Sequence, residues 1–177
     1  MNKRNIQLGD NVAGKKYFLT VFVDGEKYHI KYKDLKQYDE YASPNEIETA
    51  RCYYDEGNNC IVANYTVASG QDGLTFLWDI DAKQIIHASD GSYAIKVIVH
   101  KNKVYTLREI SSYGHQPKLS LDSCDLGFSE TNTYQEYDFN VSLDYDAKFD
   151  RDNYTLEATN NYIKVGYKNN IKTIKIN

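Results

Sequence analysis

Asp24-Gly25 lies between two runs of strand-forming residues, Tyr17–Val23 and Glu26–Tyr32. Both central residues of a tight hairpin turn must accept positive φ, and Asp-Gly is among the strongest short-range signals for such a turn. The same punctuation recurs along the chain. Lys101-Asn102 separates Ala94–His100 from Lys103–Ile110, Asn160-Asn161 separates Tyr154–Thr159 from Tyr162–Tyr167, and Asn169-Asn170 separates that run from Ile171–Ile176. Asn enters the left-handed region more readily than other non-glycine residues, which explains its placement. Reading every such run gives about thirteen strands joined mostly by short turns, an all-β antiparallel meander. One domain spanning residues 1–177 is expected from the length. A β-sandwich or a barrel is the alternative architecture.

Side-chain alternation assigns faces. Ile95, Val97 and Val99 fall on one side of their strand and Lys96 and His100 on the other. Ile163, Val165 and Tyr167 oppose Lys164 and Lys168 in the same way. Seventeen Tyr suit half-exposed sheets, because the ring is apolar and the hydroxyl wet. Two segments carry weak helix signals. Ser43-Pro44-Asn45-Glu46 fits a capping box with Pro at the first helical position, allowing a turn or two over Ile47–Arg51. Lys33–Ala42 has room for a short helix with Leu35 and Tyr38 on one side.

The stretch Asp72-Gly73-Leu74-Thr75-Phe76-Leu77-Trp78-Asp79-Ile80 contains the chain's single Trp. Leu74, Phe76, Trp78 and Ile80 alternate, so they share one strand face, which phases Trp78 into the core. Its ending resembles the last part of a WD repeat, where a Trp-Asp pair closes the unit. Candidate strands also gather in groups of three or four starting near Tyr17, Ala50, Ala94 and Tyr137, a spacing like that of propeller blades. The resemblance covers one repeat's end; the upstream Gly-His and further Trp-Asp pairs are missing. It implies a propeller-like or incomplete propeller sheet and a role in protein–protein scaffolding.

Charge is uneven along the chain. Between Leu121 and Asp152 the acids are Asp122, Asp125, Glu130, Glu136, Asp138, Asp144, Asp146, Asp150 and Asp152, opposed by Lys148 and Arg151 alone. A solvated loop region accounts for most such runs. The same segment disfavours phosphate backbones and suits a basic protein partner, so nucleic acid is not expected. Met1–Asn11 lacks the apolar run of a signal peptide and no segment has the length of a membrane span. A cytoplasmic protein with reduced thiols and no membrane partner is therefore expected.

Chemistry-bearing patterns are sparse. His29, His87, His100 and His115 show no metal-ligand spacing, and no phosphate-cradling glycine loop or nucleophile elbow is present. No metal and no cofactor are expected. A hairpin centred on Glu56 places Cys52 opposite Cys60, near disulfide distance, while two buried free thiols are the simpler reading. Asp144, Asp146, Asp150 and Asp152 form the densest carboxylate cluster, but Lys148 breaks the calcium-loop pattern. Tyr113 and His115 lie in a long loop, where binding residues concentrate. The expected function is non-catalytic protein binding through Tyr113, His115, Asp138, Asp144, Asp146, Asp150 and Asp152. By general likeness it suits a bacterial inhibitor or immunity protein facing a basic toxin. A small-molecule or carbohydrate binder with a concave aromatic pocket is the second expectation. A hydrolase using the Asp cluster is the third.

Overall fold

The computed structural model describes residues 4–10, 12–68, 73–90, 94–110, 118–127, 132–137 and 151–176. Fourteen strands appear among them, and every pairing is antiparallel. They form four open sheets, each a meander of consecutive strands. Sheet I holds β1 (Ile6–Leu8), β2 (Leu19–Val23) and β3 (Glu26–Ile30), followed by the one-turn helix α1 (Tyr32–Leu35). Sheet II holds β4 (Ile47–Asp55), β5 (Cys60–Val67), β6 (Leu74–Asp79) and β7 (Gln84–Asp90). Sheet III holds β8 (Ala94–His100), β9 (Lys103–Ile110), β10 (Lys118–Asp125) and β11 (Asn132–Tyr137). Sheet IV holds β12 (Tyr154–Ala158), β13 (Tyr162–Tyr167) and β14 (Asn170–Lys175). The all-β antiparallel fold is as the turn pattern predicts. No sheet closes on itself as a barrel.

Contacts divide the chain into two compact units. Described residues up to Asp90, joined by Gly127, form the first; those of Ala94–Leu126 and from Asn132 onward form the second. In the first unit, Val21 and Ile30 of sheet I and Phe18 just before β2 share a core with Ile61, Tyr65, Phe76 and Trp78 of sheet II. In the second, Leu107, Leu119 and Leu121 of sheet III pack with Leu156, Ile163 and Val165 of sheet IV. Burial of apolar area is the main force behind both cores.

The turns show why the hairpin signals work and where they slip. Asp24 and Gly25 take φ of 52° and 89° between paired Val23 and Glu26. Lys101 and Asn102 take 49° and 61° between His100 and Lys103. In the last hairpin, however, Tyr167 pairs with Asn170, so the turn is Lys168-Asn169, and Lys168 takes the left-handed conformation with φ of 50°. Gly73 is required for a different reason than a turn. A Cβ there would lie 1.7 Å from the Tyr65 carbonyl oxygen, so β6 can approach β5 only without a side chain at that position.

Three expectations are corrected. Ser43–Glu46 does form a turn, with the Ile47 N–H donating to the Ser43 carbonyl, but no helix follows. Ile47–Asp55 instead pairs with β5, because a full strand of cross-chain bonds and buried contacts outweighs one local cap. Lys33–Ala42 yields only α1 and irregular turns. The shared face of Ile95, Val97 and Val99 is broken by a bulge between Ala94 and Lys96. Ile95 joins the second core, whereas Val97 and Val99 stand opposite Thr106 and Val104 on the other face. One unpaired residue inverts the phase of what precedes it.

The Cys52–Cys60 geometry is also decided by register. Asp55 pairs with Cys60, which centres the turn on Gly57-Asn58 and sets Cys52 opposite Ala63. Cys52, Cys60 and Cys124 are all free. Burial pushes the Cys60 thiol up to about 12, with Asp55 and Asp79 adding to the shift. Thiol titration of denatured, unreduced protein is expected to count three reactive groups; a count of one would contradict this register.

Candidate functional site

The first unit contains a cleft of about 380 Å³. Its walls come from segments far apart in sequence. β3 contributes His29 and Ile30 at its end, and α1 with the turn after it contributes Asp34, Gln37 and Tyr38. Sheet II contributes Trp78, Lys83, Gln84 and Ile85 around the β6–β7 turn. This volume suits a small metabolite.

Each wall is held from behind. Leu35 is fully buried in the first core, and the Tyr32 hydroxyl donates to the Gly14 carbonyl at 2.7 Å. These contacts anchor α1. The Lys31 N–H donates to the Asp34 carboxylate at 3.3 Å, and the Gln37 amide nitrogen donates to the Asp34 carbonyl at 2.9 Å. Beyond α1, the Tyr65 hydroxyl donates to the Asp39 carboxylate at 2.7 Å, tying the segment to sheet II. Burial first, then that hydrogen bond, raises the Tyr65 pKa well above its ordinary value, so the hydroxyl remains a donor.

The opposite wall is a four-residue turn. The Asp79 carboxylate accepts the N–H groups of Asp81 at 2.8 Å and Ala82 at 2.6 Å. Lys83 closes the turn with φ of 56°, a conformation that costs a side-chain-bearing residue energy. Its ammonium lies 4.2 Å from the Tyr28 ring centroid and 5.8 Å from that of Trp78, and donates to the Ile80 carbonyl. β7 carries a bulge just beyond, since Leu77 pairs with His87 but Trp78 with Ile85. The extra residue, Ile86, shifts Gln84 and Ile85 relative to the rest of the strand, and such bulges are common where a sheet shapes a site.

His29 occupies the third side. It stacks on Tyr17 with ring centroids 3.8 Å apart, and its Nδ1 lies 3.1 Å from the Thr20 hydroxyl. Desolvation, then the charges of Lys27, Lys16 and Lys31, hold its pKa below the usual histidine value. The ring is therefore mainly neutral at pH 7 and offers hydrogen bonding without charge. The arrangement can bind a small polar molecule through two carboxamides, a carboxylate, an imidazole and an ammonium.

The residues expected from sequence to bind fall elsewhere. Tyr113, His115, Asp138, Asp144, Asp146 and Asp150 lie outside the described residues. Asp152 is exposed in the short 3-10 turn Arg151–Asn153 ahead of β12. Asp122, which the acidic run suggested was solvated, is instead buried in β10. Its carboxylate accepts Arg108 Nε at 2.8 Å on one oxygen and the Ser120 hydroxyl at 2.6 Å on the other. Among the described residues, no group of three or more His, Cys, Asp or Glu is placed to hold a metal ion. None of the described helices is long and apolar enough to cross a membrane.

The cleft residues were missed because their signal is not local. In sequence Trp78 is phased to the core, where it is 4% exposed, and His29 and Tyr38 carry no pattern that marks a ligand site. Comparison with known proteins returned no matching family model, no matching curated protein and no matching solved structure.

Proposed function

We propose that this protein is a non-catalytic binding module that holds a small polar ligand in the cleft between α1 and the β6–β7 turn. The observation that carries the reading is the convergence of Asp34, Gln37, His29, Lys83 and Gln84 on one concavity whose walls are separately braced. Few convergent polar groups on a concave surface are the usual make-up of a ligand site. The absence of a catalytic step is part of the proposal. It is supported by the raised pKa of the Cys60 thiol, which suppresses its nucleophilic form, and by the Ser120 hydroxyl being committed to Asp122.

Thermal unfolding against a library of sugars, sugar acids and amino acids tests this. A ligand at one hundred times its Kd adds about 2.7 kcal/mol to stability. A clear rise in Tm is expected for one class, and the rise should weaken when Gln37 and Gln84 are both replaced by Ala. A library that leaves Tm unmoved throughout would sink the reading.

A second reading is cytoplasmic protein binding, of the inhibitor or immunity kind, against a basic partner. Of the nine acids between Leu121 and Asp152, Asp122 is buried against Arg108 and Asp125 pairs with Lys103; the other seven, opposed by Lys148 and Arg151 alone, favour it. Four consecutive meander sheets of three or four strands also fit blade-like modules of the kind the Trp78-Asp79 ending suggests. Salt-sensitive capture of a basic protein from the native host would move the balance to this reading.

A further inference from the structure

We propose that the cleft's ligand carries a carboxylate and that Lys83 binds it; this rests on the ligand-binding reading above. A lysine at a turn normally sweeps through solvent on a flexible stem. Lys83 does not. Its backbone holds the left-handed conformation, its ammonium rests against Tyr28 and Trp78, and one N–H is committed to the Ile80 carbonyl. Fixing the head in this way removes the rotamer entropy that a ligand would otherwise have to overcome. An ammonium has three donors. The turn takes one and the Tyr28 face engages the head by cation–π attraction, which leaves donor capacity for a ligand in the cleft that Lys83 lines.

The charges around the cleft favour an anion. Lys16, Lys27 and Lys31 all act on His29. Among the acids nearby, Glu26 accepts the Tyr28 hydroxyl, Asp34 accepts the Lys31 N–H, Asp79 accepts the Asp81 and Ala82 N–H groups, and Asp81 pairs with Arg4 at 2.6 Å. Each accepts from a donor of the protein, and of these acids only Asp34 lines the cleft with Lys83. The neutral His29 and the carboxamides of Gln37 and Gln84 supply hydrogen bonds for the rest of such a molecule. A polyol without charge could accept from the ammonium through a hydroxyl, but only a carboxylate makes the bond charge-assisted from both sides.

Trp78 makes the test specific, because the only Trp in the chain lines the cleft. Its emission, excited where tyrosine does not absorb, is followed on adding two matched pairs, each an acid and its carboxylate-free parent: D-glucuronate against D-glucose, and D-galacturonate against D-galactose. The acid of at least one pair is expected to shift the emission saturably. Its neutral partner should bind about ten-fold to a hundred-fold more weakly, the usual value of a charge-assisted hydrogen bond. Lys83→Gln should lose the same factor and Lys83→Arg should recover most of it, with circular dichroism confirming that both variants fold. The inference is overturned if the neutral member binds as tightly as the acid, or if folded Lys83→Gln binds the acid unchanged; either result leaves the ligand-binding reading standing. If no member of either pair moves Trp78, the inference falls, while the ligand-binding reading is decided by the thermal library.

Discussion

Asp122→Ala is expected to destabilise the second unit by about 3–5 kcal/mol, the cost of removing one partner from a buried ion pair. The pair sits on the face of sheet III away from the Leu107–Leu119–Leu121 core, with side chains 10% and 8% exposed for Arg108 and Asp122. Register explains how they meet. Arg108 pairs with Ser120 and Thr106 with Asp122, so Arg108 and Asp122 are diagonal neighbours across β9 and β10. Both carboxylate oxygens are used, one by Arg108 Nε and one by the Ser120 hydroxyl. Truncation removes the carboxylate and keeps the guanidinium in a place where desolvating a charge is expensive. Replacing both partners together, as Arg108→Met with Asp122→Leu, is expected to cost far less than Asp122→Ala alone, since apolar substitutes often match a buried pair. Urea unfolding of the two variants decides the matter. A single variant with an unchanged midpoint would show that the pair is solvated in solution.

That pair also shows what kind of information a sequence carries openly. The alternation Ser120, Asp122, Cys124 against Leu119, Leu121 was visible, but Asp122 sat in a run of acids and looked like solvent-facing charge. Its partner is fourteen residues earlier on another strand, and nothing local marks it. Hairpins are the opposite case. Asp24-Gly25 and Lys101-Asn102 were legible because a positive φ is demanded by two adjacent residues and met by their own chemistry. The Asn169-Asn170 pair misplaces its turn by one residue, because strand pairing puts Lys168 rather than an Asn in the left-handed position. Ser43–Glu46 read as a helix start because a cap is local, whereas the pairing of β4 with β5 that overrode it is not. The bulge in β8 inverted Ile95 for a similar reason, since a register shift belongs to two strands together. The cleft was illegible throughout. Its walls come from residues 29–38 and 78–85, and neither segment has a ligand-binding motif, the Trp78-Asp79 pair bearing on the sheet alone; their convergence is a consequence of sheet I packing on sheet II.

That packing depends on Phe18, and Phe18→Ala is expected to cost the first unit about 3–5 kcal/mol through lost burial and the cavity left behind. The ring is fully buried and touches both sides of the core. Its centroid lies 5.3 Å from Phe76 and 5.6 Å from Tyr65 in sheet II, and 6.3 Å from Tyr32 in α1. Phe18 is also fixed through its backbone, donating its N–H to the Ile30 carbonyl and accepting the Ala13 N–H. The residue therefore joins the end of β3, where His29 enters the cleft, to the helix and strand that form the cleft's other walls. Two consequences should separate a mere loss of stability from a loss of site geometry. Phe18→Leu retains most of the volume and should cost less than Ala, with Trp78 emission near that of the parent. Phe18→Ala, measured at a temperature where it remains folded, should shift Trp78 emission toward that of a wetter indole, because the cavity loosens the ring's neighbours Phe76 and Tyr65. Equal urea midpoints for the parent and Phe18→Ala would contradict the packing of sheet I on sheet II. An unfolding change without any change at Trp78 would instead mean that the cleft is held by its own braces, Tyr32 to Gly14 and Tyr65 to Asp39, independently of the core behind it.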